Sequence, residues 1–164
     1  MISIRPAAEG DAEAIAAIYA EGIEGRGATF VTRPPEPGTV AAWLRRRGPF
    51  LVAERDGDVV GWAAVSDYSD VPAYAGVGEF AIYVAGRAQG AGIGRRLLEA
   101  LCDAAEGDGR HKLVGKIFPG NLASLAISRA CGFAEVGTHR RHGRLEGEWR
   151  DVVVLERLLG DGRE

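Results

Sequence analysis

At 164 residues the chain is long enough for one domain with a substantial core. With 46% hydrophobic and 26% charged residues it has the balance of a soluble globular protein, not a disordered or fibrous one. A formal charge of −3 argues against a general nucleic-acid binder, and no run approaches the ~18 apolar residues of a membrane span. The start, Met-Ile-Ser-Ile-Arg-Pro, lacks the apolar stretch of a secretory signal, so a cytoplasmic location is expected.

Met1 to Pro6 alternates Ile2 and Ile4 with Ser3 and Arg5, a short strand closed by Pro6. Asp11 is the expected N-cap of a helix running to about Glu24, with Ile15, Ile18, Tyr19 and Ile23 on one face and Tyr19 read as core packing. Gly25 to Pro37 is a loop by its glycines and prolines. Its Arg26, Thr29, Phe30 and Arg33 could line a substrate pocket. The alternative is a solvated arginine and a phenylalanine plugging the edge of the core. Thr39 is the expected cap of a second helix with Val40, Trp43 and Leu44 inward. Arg45, Arg46 and Arg47 complement its C-terminal dipole, and Gly48 follows.

Phe50–Glu54 and Val59–Ser66 read as a hairpin across Asp56-Gly57. A loop, Asp67–Gly76, carries Tyr68, Pro72 and Tyr74. A further strand over residues 111–118 leads through Pro119-Gly120 to a helix capped by Asn121, with Leu122, Leu125, Ala126 and Ala130 inward and Gly132 as its stop. Phe133–His139 and Trp149–Glu156 read as the last strands, joined by the basic segment His139–Arg144. Residues 1–160 form a single domain by this reading and 161–164 a disordered tail. Cys102 and Cys131 fall inside helical patterns and read as reduced core thiols. No metal-ligand spacing surrounds them, so no metal is expected.

The most informative stretch runs from Gly78 to Arg96. Phe80, Ile82 and Val84 alternate with Glu79, Ala81 and Tyr83 as a strand, Gly90, Gly92 and Gly94 form a loop, and Ile93, Leu97, Leu98, Leu101 and Ala105 mark an amphipathic helix. Such a loop turns backbone N–H groups outward at a helix N-terminus, where the dipole also favours an anion and no Cβ blocks its approach. Arg95 and Arg96 add positive charge. A P-loop would need Lys and then Ser or Thr after its last glycine, and the dinucleotide fingerprint a glycine at position 95. This sequence has neither.

Gln89-Gly-Ala-Gly-Ile-Gly94 resembles the (Gln/Arg)-x-x-Gly-x-(Gly/Ala) signature of the GCN5-related N-acetyltransferases. Asn121–Phe133 is similar to that family's later Asn…Ala…Gly-Phe helix. The resemblance implies an α/β (α+β) fold with a mixed, largely antiparallel central sheet flanked by helices and splayed between the strands at about 78–84 and 111–118. It implies acetyl-CoA as acetyl donor, its pyrophosphate held by Gln89, Gly90, Ala91, Gly92, Ile93, Gly94 and Arg95. Ile82, Tyr83 and Val84 would pair with the pantetheine arm, and Asn121 and Ser124 would lie beside the cofactor. Glu79, on the strand entering the loop, is the candidate general base, and its apolar neighbours would favour its neutral form by desolvation. Ser128 stands where many relatives carry a Tyr or His that protonates the thiolate; Tyr83 and Tyr74 are weaker substitutes.

Ala73-Tyr74, Glu79, Tyr83-Val84 and Gly147-Glu-Trp-Arg-Asp151 resemble the phosphinothricin and arsinothricin N-acetyltransferase branch. That implies a small-molecule amine as acceptor, a homodimer, and Arg26, Thr29, Phe30 and Tyr74 as substrate-binding residues. The branch typically has basic residues before its Ala-Tyr, where this chain has Ser69, Asp70 and Val71. Positive charge for an anionic substrate must then come from Arg26, Arg33 or the His139–Arg144 segment. Two other readings stand beside this one: acetylation of a protein N-terminus or lysine, and a non-catalytic acyl-CoA-binding module.

Overall fold

The computed structural model describes residues 1–46 and 48–163. Its strands are β1 (Ile2–Pro6), β2 (Phe50–Arg55), β3 (Asp58–Asp67), β4 (Val77–Val84), β5 (Lys112–Ile117), β6 (Ala134–Leu145) and β7 (Glu148–Leu158). Its helices are α1 (Ala12–Glu24), α2 (Pro37–Leu44), α3 (Ile93–Gly107) and α4 (Leu122–Ala130). The strands make one sheet in the order β1-β2-β3-β4-β5-β7-β6, antiparallel at every step except β4–β5. Helix α1 packs over β3 and β4 with α2 against it, and α3 lies across β1 to β4 beside α4. Between these layers Ile15, Val52, Leu97, Leu101, Leu113 and Leu155 are fully buried. Among the described residues no helix is long and apolar enough to cross a membrane.

The β4–β5 step positions the site. Along its β3 side β4 is paired from Gly78 to Val84. Along its β5 side only Val77, Gly78 and Glu79 pair, with Lys112, Leu113 and Val114. Beyond that point β5 continues on β7, and β4 leaves it. The sheet is therefore mixed, largely antiparallel and splayed, with the backbone edge of residues 80–84 facing a gap.

Several local expectations are corrected. Asp11 stands just before α1, yet its carboxylate does not cap it. It accepts two hydrogen bonds from the Arg5 guanidinium, at 2.8 and 2.9 Å, and one from the Ala8 N–H at 2.8 Å. A charge-assisted bidentate pair outcompetes a single capping bond. Helix α2 starts at Pro37, not after Thr39, because proline's fixed φ and missing N–H suit the first helical position. It stops at Leu44, with Arg45 paired to Glu9 at 2.8 Å; Arg47 lies outside the described residues. On α4 the inward residues are Leu125 and Ser128, while Leu122, Ala126 and Ala130 are exposed.

The segment His139–Arg144 is not a connection but part of β6. A bulge between His139 and Gly143 interrupts the ladder, with Arg141 at φ +48° and its N–H on Asp151 Oδ1 at 2.7 Å. The turn sits later, at Glu146-Gly147, both with positive φ. Gly160–Arg163 forms a 3-10 turn, not a tail, because Glu106 accepts from the Gly160 N–H at 2.6 Å and pairs with Arg163; Glu164 lies outside the described residues. Cys102 and Cys131 are free and buried, and burial pushes the Cys102 thiol up to about 11 and raises that of Cys131.

Candidate active site

Where β4 leaves β5, two chambers open and join. The larger, about 830 Å³, runs from α1 across the end of β4 to the N-terminus of α3. The smaller, about 420 Å³, lies between β4, β5 and the loop after α1. Ala28, Ile82, Tyr83, Asn121 and Ser124 border both.

The glycine loop builds one end of the larger chamber. Gly90 and Gly92 have φ of +82° and +75°, and nothing lies within 4 Å of a Cβ placed on either. The left-handed backbone and the open space are what an anion needs to reach main-chain N–H groups. Gly92 sits at the N-cap of α3 without any side-chain cap, so the first-turn N–H groups keep their capacity to bind. Gln89 Nε2 reaches back to the Val84 carbonyl at 3.4 Å, tying loop to strand. Gly94 has a different reason to be glycine: a Cβ there would meet Ile127 Cδ1 at 2.8 Å, so it lets α4 approach α3.

Of the loop residues expected to contact a cofactor, Gln89, Gly90, Gly92, Ile93, Gly94 and Arg95 line this chamber, and exposed Ala91 does not. Arg95 is engaged by Glu99 at 2.9 Å. The Arg96 guanidinium is directed elsewhere, onto the Ile2 carbonyl at 3.0 Å. Asn121 caps α4 through the Ser124 N–H at 3.3 Å. Glu21 also lines the chamber and accepts from the Gly86 N–H at 2.7 Å, holding the turn that leads from β4 into the glycine loop.

Glu79 lines the smaller chamber, at the last paired position before the splay. Its surroundings differ from the apolar shell expected of it. Lys116 Nζ lies 2.7 Å from Glu79 Oε1, and the Tyr68 ring lies 5.6 Å from the same ammonium. The pair follows from register. Glu79 is opposite Val114, and two residues further along β5 returns to the same face at Lys116. The signal available in the sequence was a lysine inside the otherwise apolar run Leu-Val-Gly-Lys-Ile.

Thr29 and Phe30 line the smaller chamber; Arg26 and Tyr74 line neither. Arg26 is held away by Glu146 at 2.8 Å and the Ile23 carbonyl at 3.0 Å. Tyr74 is half-exposed and packs edge-on to Tyr68. Phe30 lines the chamber and also plugs the core edge, meeting Phe118 at 4.8 Å in a small cluster with Leu145 and Val152. Of the basic segment, His142 reaches the chamber wall.

Ser128 is buried, and its hydroxyl donates to the Ser124 carbonyl at 2.8 Å, so it borders neither chamber. Tyr83 borders both and packs on Tyr19 and Trp62 at 4.8 and 4.9 Å. Burial raises its phenol well above the usual range, so it holds its proton at neutral pH. Among the described residues no cluster of His, Cys, Asp and Glu could hold a metal ion.

Known proteins share this fold. The Acetyltransferase (GNAT) family pattern matches residues 15–133. The chain is 36% identical to a phosphinothricin N-acetyltransferase from Alcaligenes faecalis, over 98% of its own length and 84% of the relative's. A ribosomal-protein-alanine N-acetyltransferase from Brucella melitensis superposes with a TM-score of 0.92 at 36% identity, covering 96% of this chain and 99% of that one. A GNAT superfamily phosphinothricin acetyltransferase from Sinorhizobium meliloti, solved in complex with AcCoA, superposes with a TM-score of 0.93 at 30% identity, covering 98% and 90%.

Proposed function

Because this chain belongs to the GNAT acetyltransferase family and is an acetyl-CoA-dependent N-acetyltransferase, we propose that it acetylates the α-amine of a small amino acid-like acceptor of the phosphinothricin or arsinothricin type. The amine attacks directly in a ternary complex, and Glu79 is the general base. The observation that carries this reading is the place of Glu79: in the wall of the smaller chamber, at the point where β4 turns its free edge to the larger one.

The residues present fit the donor. Gly90 and Gly92 leave room at the α3 N-terminus for a pyrophosphate, and Arg95 lies beside it. The free edge of residues 80–84 offers N–H and C=O groups in the spacing of a strand, to which an amide-bearing arm can pair. Acetyl-CoA supplies an activated acetyl group. The chain's part is to hold the amine in the smaller chamber, take its proton on Glu79 and present a β4 N–H to the developing oxyanion. An α-amine is mostly ammonium at neutral pH and cannot attack until that proton leaves.

A chamber of about 420 Å³ is the size of a small-molecule pocket, which favours an amino acid-like acceptor over a polypeptide. The outer face of the C-terminal hairpin, with Val136 and Trp149 exposed, supports a homodimer, which sedimentation would test. The deciding experiment measures free thiol release from acetyl-CoA with phosphinothricin, arsinothricin, methionine sulfoximine, the proteinogenic amino acids and an alanine-terminated peptide. Turnover concentrated on the first three supports the proposal. Turnover confined to the peptide overturns it.

A further inference from the structure

The Glu79–Lys116 pair has the charge pattern of an α-amino acid head group turned inside out. Carboxylate and ammonium stand 2.7 Å apart in the wall of the smaller chamber, with side chains 33% and 44% exposed, so a ligand can reach both. We propose that this pair is the receptor for the acceptor's zwitterion: Glu79 takes the substrate ammonium while Lys116 takes the substrate α-carboxylate. This rests on the reading of the site as an amino acid N-acetyltransferase and makes Lys116 its specificity-determining residue.

Three observations support it. Lys116 carries the one permanent positive charge among the residues lining this chamber, where the other titratable side chains are Glu79, His142 and the two tyrosines. Of the other candidate cations, none of Arg26, Arg33, Arg140, Arg141 and Arg144 lines this chamber. Arg26 is bound to Glu146, and residues 69–71, before Ala73-Tyr74, are Ser, Asp and Val. Finally, the Tyr68 ring lies 5.6 Å from the Lys116 ammonium, so a cation–π contact keeps the ammonium in place when Glu79 turns to the substrate.

The exchange conserves ion pairing. One internal pair is replaced by two intermolecular ones, so neither Glu79 nor Lys116 is left as an uncompensated charge in the filled chamber. An amine without an α-carboxylate satisfies Glu79 but leaves Lys116 without a partner. A site built for a charged group discriminates strongly against a ligand that lacks it.

The test compares phosphinothricin with its α-carboxamide in the wild-type enzyme and in Lys116→Met and Lys116→Arg. The wild type should favour the carboxylate at least tenfold in kcat/KM. Lys116→Met should abolish that preference by raising KM for the carboxylate substrate alone, and Lys116→Arg should restore most of it. An equal preference in the wild type and Lys116→Met, or none in the wild type, overturns the role of Lys116. If the wild type acetylates no α-amino acid but does acetylate an alanine-terminated peptide, it is the reading of the acceptor class that has failed, and the receptor falls with it.

Discussion

Replacing Glu79 by glutamine keeps the shape of the side chain and removes its ability to accept a proton. A positioned general base contributes about 10²–10⁴ in rate. The Glu79 side chain is one-third exposed in an open chamber, so water can take the proton in its place, and the lower part of that range applies: about 10²–10³. That corresponds to about 2.7–4 kcal/mol in the barrier. The fold should hardly notice. The Lys116 pair is solvent-accessible on both sides and is worth ~1 kcal/mol or less, a shift of only a few degrees in Tm. Acetyl-CoA affinity should stay within about twofold, because Glu79 is outside the lining of the larger chamber. The assay is initial-rate thiol release at saturating acetyl-CoA from about pH 6 to about pH 10, across the titration of a free α-amine. Glu79→Gln should be far below the wild type at neutral pH and gain on it as pH rises, because the substrate amine then loses its proton to solvent. Unchanged turnover at neutral pH would refute the general-base role.

Gly92→Val combines a branched side chain with φ +75° and fills the open space at the α3 N-terminus; titration calorimetry on the folded variant should show acetyl-CoA binding lost, and normal affinity would move the pyrophosphate site elsewhere. Ser128→Ala should keep turnover within about twofold, since the hydroxyl borders neither chamber, and cost about 1 kcal/mol or less for its bond to Ser124. A large fall in turnover would bring Ser128 into the chemistry. Asp11→Asn should lower stability by about 1–2 kcal/mol near neutral pH through the lost bonds to partly exposed Arg5. The Arg5 guanidinium holds the Asp11 carboxyl below its ordinary value of 3.8, so this contribution is complete above that value and is lost as pH falls through the lower folded value. Denaturant titrations should therefore show the gap between the two proteins closing in acid, and a gap that widened there would contradict the assignment.

What the sequence reveals and what it hides divide along a physical line. The glycine loop was legible because positive φ at Gly90 and Gly92 and close packing at Gly94 demand glycine, and the chain writes those demands directly. Helix α3 was legible because Ile93, Leu97, Leu98, Leu101 and Ala105 all bury on one face. Strand β6 was not. It is the sheet's edge and almost wholly exposed, so no alternation marks it, and its bulge falls among charged residues. Lys116 escaped because its partner is remote in the chain and meets it only through the β4–β5 register. Arg26 was misplaced for the same reason in reverse, since Glu146 claims it from the far hairpin. Contacts within one element can be read from spacing. Ion pairs between elements cannot be read until the topology is known.

The splay itself also has a cause among these residues. If the parallel ladder continued one step past Glu79 and Val114, it would bring Phe80 opposite Gly115. The Phe80 ring already fills the space over Gly115, where a Cβ would meet it at 2.5 Å, and it packs edge-on to Phe133 at 4.9 Å. Gly115 accommodates the ring, and β5 meanwhile takes its hydrogen bonds from β7, opposite Leu155. With Phe80 anchored in the core over Gly115, residues 80–84 keep a backbone edge that no strand among the described residues completes. The same arrangement fixes Glu79 as the last paired residue, which rigidifies its backbone, and sets Lys116 beyond the end of the ladder, where its ammonium reaches back to Glu79 across the opening. A single large-to-small apposition, Phe80 over Gly115, thereby supports both the open strand edge and the placement of the charged pair.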